Sequence, residues 1–313
     1  MISIALASYN GSKYIHEQID SILNQTYQDF ELIICDDCST DNTWQILEEY
    51  VQKDSRIRIY KNETNLGFKK NFEKAISLCQ GEYVALSDQD DIWMENHLEV
   101  LLKNIANYSI SCGNSLLIDK DGNSMKMKLN ENEKFFYIEM SKFIYRSLLM
   151  GNCLQGANML MPTKFVKKCL PIPQSVLYHD AWFAACACLE NGISYTLDVI
   201  NQYRQHGNNV TFDTHNQSKR TFFQKLKSKF NVVKNGSETD RFHYVEELKN
   251  GFGLENEDIE FIYKIFQKIK HRKLFNFKDI KKLWNNYYYI STQKTHKGFL
   301  KFLISRQFFW HSI

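Results

Sequence analysis

The chain has 313 residues, of which 43% are hydrophobic and 24% are charged, the balance of a globular protein rather than of a disordered or fibrous one. Its net charge is +3, but residues 264–313 hold twelve Lys and Arg and one Asp, so a basic segment of charge +11 follows a body of charge −8. No apolar run approaches the roughly 20 residues of a membrane span, and the first residues lack the basic start of a signal peptide, so we expect a cytoplasmic protein.

The first 110 residues alternate between short apolar segments and longer segments with helical periodicity. Strands are predicted at residues 2–7, 30–35, 57–60 and 83–86. Each is followed by a predicted helix with apolar residues on one face, such as Ile15, Ile19 and Ile22 in the first. Strand–helix alternation at this spacing predicts an α/β fold, with a mostly parallel sheet and helices on both of its faces.

Beyond residue 110 the alternation is less regular. Strands are predicted at residues 115–118, 154–161 and 194–199, and a buried helix at 181–189. From Ser218 onward the pattern is helical, with Ile259, Ile262 and Phe266 on one face. The sequence therefore predicts a helical C-terminal appendage.

Polar residues follow three of the predicted strands, at 8–11, 36–39 and 87–91. Ligands bind at the carboxyl ends of the strands in sheets of this type. We therefore expect the three polar loops to line one crevice.

The third loop holds three aspartates, Asp88, Asp90 and Asp91, within four positions. Carboxylates this close repel one another unless a cation lies among them. Residues i and i+2 of an extended chain point the same way, so Asp88 and Asp90 are suited to hold Mg²⁺ or Mn²⁺ together with substrate phosphates. A solvated acidic turn that caps the helix beginning near Trp93 explains the same residues, and the aspartates alone do not decide between the two interpretations.

Five segments occur in the order and spacing of a known enzyme family: ASYNGSKYI, IICDDCSTDNT, NETNLGFKKNFEKAI, GEYVALSDQDDIW and YHDAWF. On these segments the chain resembles the family 2 glycosyltransferases over roughly residues 1–210. The resemblance implies a GT-A (Rossmann-like) fold. It also implies transfer of a sugar from a nucleoside diphosphate sugar to an acceptor hydroxyl, with inversion at the anomeric carbon.

Two segments indicate a subgroup within this family. SDQDDIW and YRQHGNN are similar to bacterial rhamnosyltransferases and related enzymes that assemble surface polysaccharides such as capsule and O-antigen. The implied donor is a UDP- or dTDP-sugar, with dTDP-rhamnose among the candidates, and the implied acceptor is a saccharide or a lipid-linked saccharide. On this resemblance residues 1–215 form the catalytic domain, with a nucleotide-binding half at 1–110 and an acceptor-binding half at 111–215, and residues 216–313 form a basic, aromatic-rich helical region.

The resemblance assigns seven residues to the nucleotide pocket: Ala7, Ser8, Tyr9, Asp37, Asn65, Lys70 and Asp88. Tyr9 is similar to the aromatic residue that stacks on the base, and Asp37 to the carboxylate that accepts a hydrogen bond from the base. Asp88 would hold the ribose or support a metal ion. For Tyr9 a place at the end of the sheet core is an alternative, and for Lys70 a solvated helix face is an alternative.

A divalent cation, Mn²⁺ or Mg²⁺, is implied because the leaving group is a diphosphate whose negative charge grows as the glycosidic bond breaks. Asp90 resembles the direct metal ligand, beside Asp88. Asp91 is expected to cap the following helix. His206 is expected to reach the metal or the diphosphate, with a purely structural role as the alternative.

A general base is needed because an acceptor hydroxyl is a poor nucleophile until its proton is taken. The resemblance points to Asp180, although His179 stands where the family usually has Glu. A simple helix N-cap is the alternative for Asp180. Four residues are expected on the sugar or acceptor side: Gln155, Gly156, His179 and Trp182. The glycine is expected to let the backbone approach the donor.

The basic C-terminal region mixes Lys and Arg with Phe, Trp and Tyr. Basic amphipathic helices with aromatic residues suit an anionic membrane surface, so we expect peripheral association with the inner face of the plasma membrane. A helical appendage packed on the catalytic domain and a homodimer contact are the alternatives. No nucleic-acid-binding module accompanies the positive charge, so no nucleic acid partner is expected.

Two other functions compete with glycosyl transfer. A sugar-phosphate nucleotidyltransferase needs a Gly- and Arg-rich loop after the first strand, and residues 8–13 lack one. A non-catalytic nucleotide-sugar-binding subunit would have no need to keep Asp37, Asp88, Asp90 and Asp180 together. Both functions are less consistent with the sequence than glycosyl transfer.

Overall fold

The computed structural model describes residues 1–130, 154–176, 178–206, 244–250, 257–271, 273–290 and 299. Its strands are β1 (Ile2–Ser8), β2 (Phe30–Asp36), β3 (Ile57–Lys61), β4 (Tyr83–Ser87), β5 (Ile92–Trp93), β6 (Ile110–Ile118), β7 (Ser124–Lys128), β8 (Met159–Pro162) and β9 (Ile193–Arg204). Its helices are α1 (Ile15–Leu23), α2 (Thr43–Lys53), α3 (Phe68–Leu78), α4 (His97–Ile105), α5 (Thr163–Lys168), α6 (His179–Cys188), α7 (Glu257–Lys270) and α8 (Phe277–Ile290). Within these ranges no helix is long and apolar enough to cross a bilayer.

The strands form one sheet in the order β3-β2-β1-β4-β8-β6-β9-β5, with β7 beside β6. The first four strands are parallel, as the alternation of the N-terminal residues predicted. β8 runs antiparallel to both β4 and β6, so the second half of the sheet is mixed. The α/β prediction is confirmed, and the parallel part is the half assigned to the nucleotide.

Some predicted boundaries shift in the second half. The strand expected at 154–161 begins only at Met159, because Gly156–Asn158 form a 3₁₀ turn before it. The helix expected at 181–189 begins two residues earlier, at His179. Short apolar runs do not fix where a turn ends and an element begins.

Each face of the sheet is covered by helices because neighbouring residues of a strand point to opposite faces. In β1, Ile4 packs into the cluster that contains residues of α1, α2 and α4, whereas Ala5 packs into the cluster of α3, α5 and α6. Each large side chain buried in these layers stabilises the fold by about 1.5–3 kcal/mol. The two layers of helices leave uncovered the carboxyl ends of the strands and the loops that follow them.

The described part of the C-terminal region shares the second of these layers. Ile262 of α7 and Leu283 of α8 are buried in the same cluster as Phe183 of α6. Tyr244 donates a hydrogen bond from its hydroxyl to the Ala181 carbonyl, 2.5 Å away. These helices therefore share a hydrophobic core with the helix that carries the expected catalytic base.

Candidate active site

The loops after β1 and β4 are joined by Gln89, the residue between Asp88 and Asp90. Its Oε1 accepts a hydrogen bond from the Tyr9 backbone N–H at 2.8 Å, and its Nε2 donates to the Tyr9 carbonyl at 3.0 Å. A Cβ atom on Gly11 would lie 2.2 Å from Gln89 Oε1, so only glycine leaves room for this contact. The two loops thus meet at one edge of the sheet.

The loop after β2 joins the same edge. Asp36 accepts hydrogen bonds from the Ser8 hydroxyl at 3.2 Å and from the Ser39 backbone N–H at 2.9 Å. Asn10 donates its backbone N–H to Ser39 Oγ at 2.9 Å and accepts from the Thr40 backbone N–H at 2.8 Å. Asp36 therefore orders the loop, and β1 lies between the two strands that carry Asp37 and Asp88.

Asp37 is only 2% exposed, because its carboxylate holds the segment before α3. Oδ1 accepts from Asn62 Nδ2 at 2.7 Å and from the Leu66 backbone N–H at 2.8 Å, and Oδ2 accepts from the Gly67 backbone N–H at 2.8 Å. Oδ2 keeps capacity for one more donor. Its contact with a base stays a prediction, and its structural role was not foreseen.

The other expected nucleotide residues differ in exposure. Ala7 is half-buried and Ser8 is buried, whereas Tyr9 is 46% exposed, which leaves its ring accessible at the rim. Asn65 is exposed and accepts a hydrogen bond from the Gly67 backbone at 3.1 Å. Tyr9 and Asn65 are therefore accessible to a ligand.

Lys70 lies on the exposed side of α3 and forms an ion pair with Glu73 at 2.6 Å. This is the solvated helix face considered as its alternative. Lys74, one turn further on, donates to Asn62 Oδ1 at 2.7 Å and so joins the network around Asp37. Lys74 therefore borders this pocket as well, and the assignment of Lys70 to the nucleotide stays a prediction.

Three carboxylates from two distant parts of the chain interact at the centre of the edge. Burial, together with the charges of Asp90 and Asp180, raises the pKa of Asp88 to about 7. Asp88 and Asp90 follow β4, whereas Asp180 lies in the first turn of α6. The charge of Asp180 therefore reaches Asp88, and a shared crevice for these three acids stays a prediction.

Two basic side chains, one at the end of β9 and one just after it, lie beside Asp90. His206 Nε2 is 2.8 Å from Asp90 Oδ2, and Arg204 Nε donates to the Asp90 carbonyl at 2.9 Å. Arg204 is buried and also pairs with Glu17 of α1, 2.7 Å from its Nη2. Together they partly offset the repulsion among the aspartates.

The donor set suits a hard divalent cation, but it is incomplete by itself. Asp90 and His206 supply a carboxylate oxygen and an imidazole nitrogen 2.8 Å apart, and Asp88 lies two positions before Asp90 in the same loop. Within the described ranges, no group of three or more His, Cys, Asp and Glu side chains is close enough to hold a metal ion. Mg²⁺ and Mn²⁺ commonly bind through one or two carboxylates plus substrate phosphates, so this arrangement fits a cation that arrives with a diphosphate.

Asp91 has a different role from the expected one. It is buried, and it accepts hydrogen bonds from Asn201 Nδ2 at 2.8 Å and from the Arg204 backbone N–H at 3.1 Å. The next helix begins only at His97, after Asn96. The expectation that Asp91 caps it is wrong: the carboxylate ties the acidic loop to β9.

Tyr14 was missed by the sequence reasoning. Its ring centroid is 5.2 Å from that of His206, with 27° between the planes, and 4.6 Å from the Arg204 guanidinium carbon. A ring face attracts the Arg204 guanidinium and stacks on the His206 ring, so Tyr14 packs against both side chains near Asp90. The only signal in the sequence is an aromatic residue close to the first polar loop.

At the start of α6, the N-cap residue is Tyr178, so the N-cap alternative for Asp180 does not apply. Asp180 Oδ1 accepts from the Ala181 backbone N–H at 2.6 Å. His179 is buried 4.3 Å from the Phe72 ring, and burial lowers its pKa to about 4, so the imidazole is neutral. Neither of its ring nitrogens has a hydrogen-bond partner within the described ranges.

Gly156 allows a different contact from the one expected. A Cβ atom there would lie 2.8 Å from His179 Nε2 and 3.6 Å from Asp180 Cβ. The absence of a side chain therefore lets α6 pack closely, and the approach of the donor to this backbone stays a prediction. Gln155, beside it, accepts from Ser115 Oγ at 2.5 Å, and its buried Nε2 has no partner in the described structure.

Trp182 is a core residue. It is buried, its Nε1 donates to the Cys169 carbonyl at 2.8 Å, and its ring packs near Tyr244. With its polar atom satisfied inside the core, it has no surface to offer a sugar. The assignment of Trp182 to the sugar or acceptor side is therefore wrong.

Gln205 is a second residue that the sequence reasoning missed. It is 6% exposed, and neither of its amide atoms has a hydrogen-bond partner among the residues described. Arg204, before it, points towards α1, because it pairs with Glu17. Side chains alternate along an extended chain, so Gln205 points to the face opposite Arg204. Buried amides normally have partners, so this one is suited to a bound ligand.

Known proteins resemble this chain in sequence. The model of the family described as Glycosyl transferase family 2 matches residues 3–162. An uncharacterized glycosyltransferase of Methanocaldococcus jannaschii is 31% identical over 208 residues, which are 65% of this chain and 69% of that protein. A UDP-Glc:alpha-D-GlcNAc-diphosphoundecaprenol beta-1,3-glucosyltransferase of Escherichia coli is 37% identical over 147 residues, 45% of this chain and 55% of that protein.

Solved structures give the same fold. Residues 1–349 of S. aureus TarS in complex with UDP-GlcNAc superpose with a TM-score of 0.58 at 19% identity, covering 93% of this chain and 81% of that one. The complex of the same protein with UDP gives a TM-score of 0.59 at 18% identity, covering 99% and 86%. The GT-A fold expected from the sequence is confirmed.

Proposed function

This chain belongs to the family 2 glycosyltransferases, and from that premise we propose that it moves single sugars, with inversion, from a UDP- or dTDP-sugar to a saccharide or lipid-linked saccharide acceptor. The process we propose is the assembly of a bacterial surface polysaccharide such as capsule or O-antigen. The observation that carries the proposal is the junction of the acidic loop with its neighbours: Gln89 bonds the backbone of Tyr9, and Asp90 Oδ2 lies 2.8 Å from His206 Nε2. The charge of Asp180, in the first turn of α6, contributes to the raised pKa of Asp88 in the same loop.

Asp180 is proposed as the general base. It lies in the first turn of α6, where the helix dipole favours a negative charge. An acceptor hydroxyl bound beside it would lose its proton to the carboxylate as the oxygen attacks the anomeric carbon. The leaving nucleoside diphosphate departs on the opposite side of that carbon, towards Asp88 and Asp90.

Asp90, Asp88 and His206 are the residues that would hold Mn²⁺ or Mg²⁺ with the diphosphate. When bound, such a cation stabilises the negative charge that develops on the leaving group. Arg204, which donates to the Asp90 carbonyl, keeps the acidic loop in position for it. The exposed ring of Tyr9 and the remaining acceptor capacity of Asp37 suit the nucleotide base.

The acceptor side is proposed to include Gln155, His179 and Gln205. All three are at least partly buried, and each has side-chain polar atoms without partners in the described structure. Hydroxyl groups of a sugar supply both donors and acceptors, so a saccharide would satisfy them.

A lipid-linked acceptor is proposed because the E. coli relative is named for transfer to a diphosphoundecaprenol-linked sugar. The basic C-terminal region would then bring the enzyme to the inner face of the plasma membrane by contact with anionic lipid. Among donors, dTDP-rhamnose is proposed from the sequence, and UDP-glucose from the name of the same relative.

Two measurements test the proposal. A panel of nucleotide sugars with Mn²⁺ should contain one that raises the melting temperature and is slowly hydrolysed, because a ligand of the folded state stabilises it. Asp180→Asn keeps an oxygen for the Ala181 N–H, yet it should lower turnover of that donor about 10²–10⁴-fold with little change in donor KM.

The matched control is Asp121→Asn, which changes an exposed aspartate in the turn after β6. Equal turnover in Asp180→Asn and the parent would refute the base assignment. Release of diphosphate from a nucleoside triphosphate and a sugar phosphate would indicate a nucleotidyltransferase instead.

A further inference from the structure

The turn between α7 and α8 exposes two large apolar side chains. Leu274 is 72% exposed and Phe277 is 78% exposed, and the next most exposed large hydrophobic residue of the described structure is Leu197 at 54%. Single exposed hydrophobic residues are common on protein surfaces. Two of this size, three positions apart in one turn, mark a contact surface.

Positive charge surrounds this pair. Lys273, Lys278 and Lys281 are all exposed. The one acid of the segment, Asp279, is largely covered and paired with Lys268. We call residues 273–281 the docking turn; its exposed charge is wholly positive.

The docking turn is held in shape from inside. Asn276 Oδ1 accepts from the Asp279 backbone N–H at 2.9 Å, and Asp279 Oδ2 accepts from the Asn276 backbone N–H at 3.0 Å, a reciprocal cap at the start of α8. Phe275, between the two exposed residues, is buried in the core shared with α6. The turn therefore presents Leu274 and Phe277 outward without a conformational change.

We propose that the docking turn seats the protein on an anionic lipid bilayer, with Leu274 and Phe277 entering the boundary between headgroups and acyl chains and the three lysines contacting lipid phosphates. Apolar residues ringed by lysine are the pattern of interfacial membrane binding. A second copy of the chain is a poorer occupant, because a two-fold contact would bring two sets of the same positive charges together.

This proposal rests on the membrane association of the proposed function and assigns it to the docking turn.

The test is flotation of the full chain with vesicles of phosphatidylcholine alone, or of phosphatidylcholine with about one third phosphatidylglycerol. The parent should bind the anionic vesicles and release them as salt is raised, because the lysine attraction is screened.

The double variant Leu274→Ser, Phe277→Ser should lower the partition coefficient on anionic vesicles at least about tenfold. The triple variant Lys273→Gln, Lys278→Gln, Lys281→Gln should lose the preference for phosphatidylglycerol. Leu197→Ser is the matched apolar control. Lys103→Gln, Lys126→Gln, Lys128→Gln removes the same charge elsewhere, from exposed positions. Both controls should bind as the parent does.

Unchanged vesicle binding by the double variant overturns the proposal. Light scattering without lipid shows whether the parent is a dimer and the double variant a monomer. That result would assign the docking turn to a contact with a second copy of the chain and would also overturn the proposal. Hydrolysis of the nucleotide sugar in solution is measured in parallel and should not change, since the turn lies outside the acidic site. Vesicle binding without any donor turnover would refute the proposed function alone.

Discussion

His206 Nε2 lies 2.8 Å from Asp90 Oδ2, although the two residues are 116 positions apart in the chain. The contact joins the loop after β4 to the end of β9. It also sets an imidazole against the carboxylate expected to bind the cation. Because Tyr14 packs against the same imidazole, the position of His206 is fixed from two sides.

His206→Asn should weaken the apparent affinity for Mn²⁺ about 10–100-fold, because loss of a metal ligand or of its hydrogen-bonded support has effects of this size. The measurement is turnover of the nucleotide sugar as a function of Mn²⁺ concentration. His271→Asn, an exposed histidine away from the acidic loop, should leave the curve unchanged. Overlapping curves for His206→Asn and the parent would contradict a role at the cation.

Gly11→Ala should destabilise the protein by about 1–3 kcal/mol, because its Cβ would overlap the Gln89 amide. Gln89→Ala alone loses the two hydrogen bonds to Tyr9. In the double variant the overlap is gone, so its free energy of unfolding should exceed the value expected from adding the single effects. Urea denaturation of all four proteins measures this coupling.

Simple additivity in that cycle would mean that Gln89 and Gly11 do not meet. The contact matters for function because it holds the backbone of Tyr9, the residue expected beside the base. We therefore also expect weaker nucleotide binding in Gln89→Ala, measured by calorimetry with UDP and dTDP.

Gln205→Leu should stabilise the protein by about 1–2 kcal/mol while impairing transfer. The stability gain follows because the change removes two buried polar atoms that have no partners in the described structure, so no hydrogen bond is lost. Loss of acceptor binding should raise the acceptor KM. The matched control is Gln18→Leu, which should destabilise, because Gln18 Nε2 donates to Ser87 Oγ at 2.9 Å. Destabilisation by Gln205→Leu would show that its amide is satisfied within the protein.

His97 should make stability depend on pH. Its ring is buried against Trp93, and burial lowers its pKa to about 3. The unfolded chain, with an ordinary pKa near 6.5, binds the proton first, so stability is full above about pH 6.5 and falls by about 1.4 kcal/mol per pH unit between there and about pH 3.

The variant His97→Asn keeps a donor for the Ile200 carbonyl, which the parent ring bonds at 2.8 Å, but it cannot titrate. The difference in free energy of unfolding between parent and variant should therefore shrink as the pH is lowered from 7 to 5. A constant difference would exclude His97 as a source of acid sensitivity.

The parallel half of the sheet could be predicted because its signal is local. Each strand is a short apolar run, and each helix has its own apolar stripe, so neither depends on distant residues. The meeting of the loops after β1, β2 and β4 also followed, since polar loops after parallel strands share one edge. The assignment of Asp180 came only from the resemblance to the family.

The contacts that shape the site could not be predicted, because they join residues that are far apart in the chain. Nothing local marks Arg204 as the partner of Glu17, or Asp91 as the acceptor for Asn201. Trp182 was misassigned because the residue type alone does not show whether an aromatic side chain near a motif contacts a ligand or packs in the core. Lys70 and Lys74 lie one turn apart, and only the fold distinguishes them.

The hydrogen bonds from Asn201 and Arg204 to Asp91 bear on how small a working piece of this enzyme can be. The family match stops at residue 162, but a fragment ending there would strand a buried carboxylate in the very loop that carries Asp90. Such a truncation would keep the residues that match the family and lose the hydrogen bonds from β9 that hold the acidic loop. Any shortened version meant to retain catalysis has to extend at least through His206.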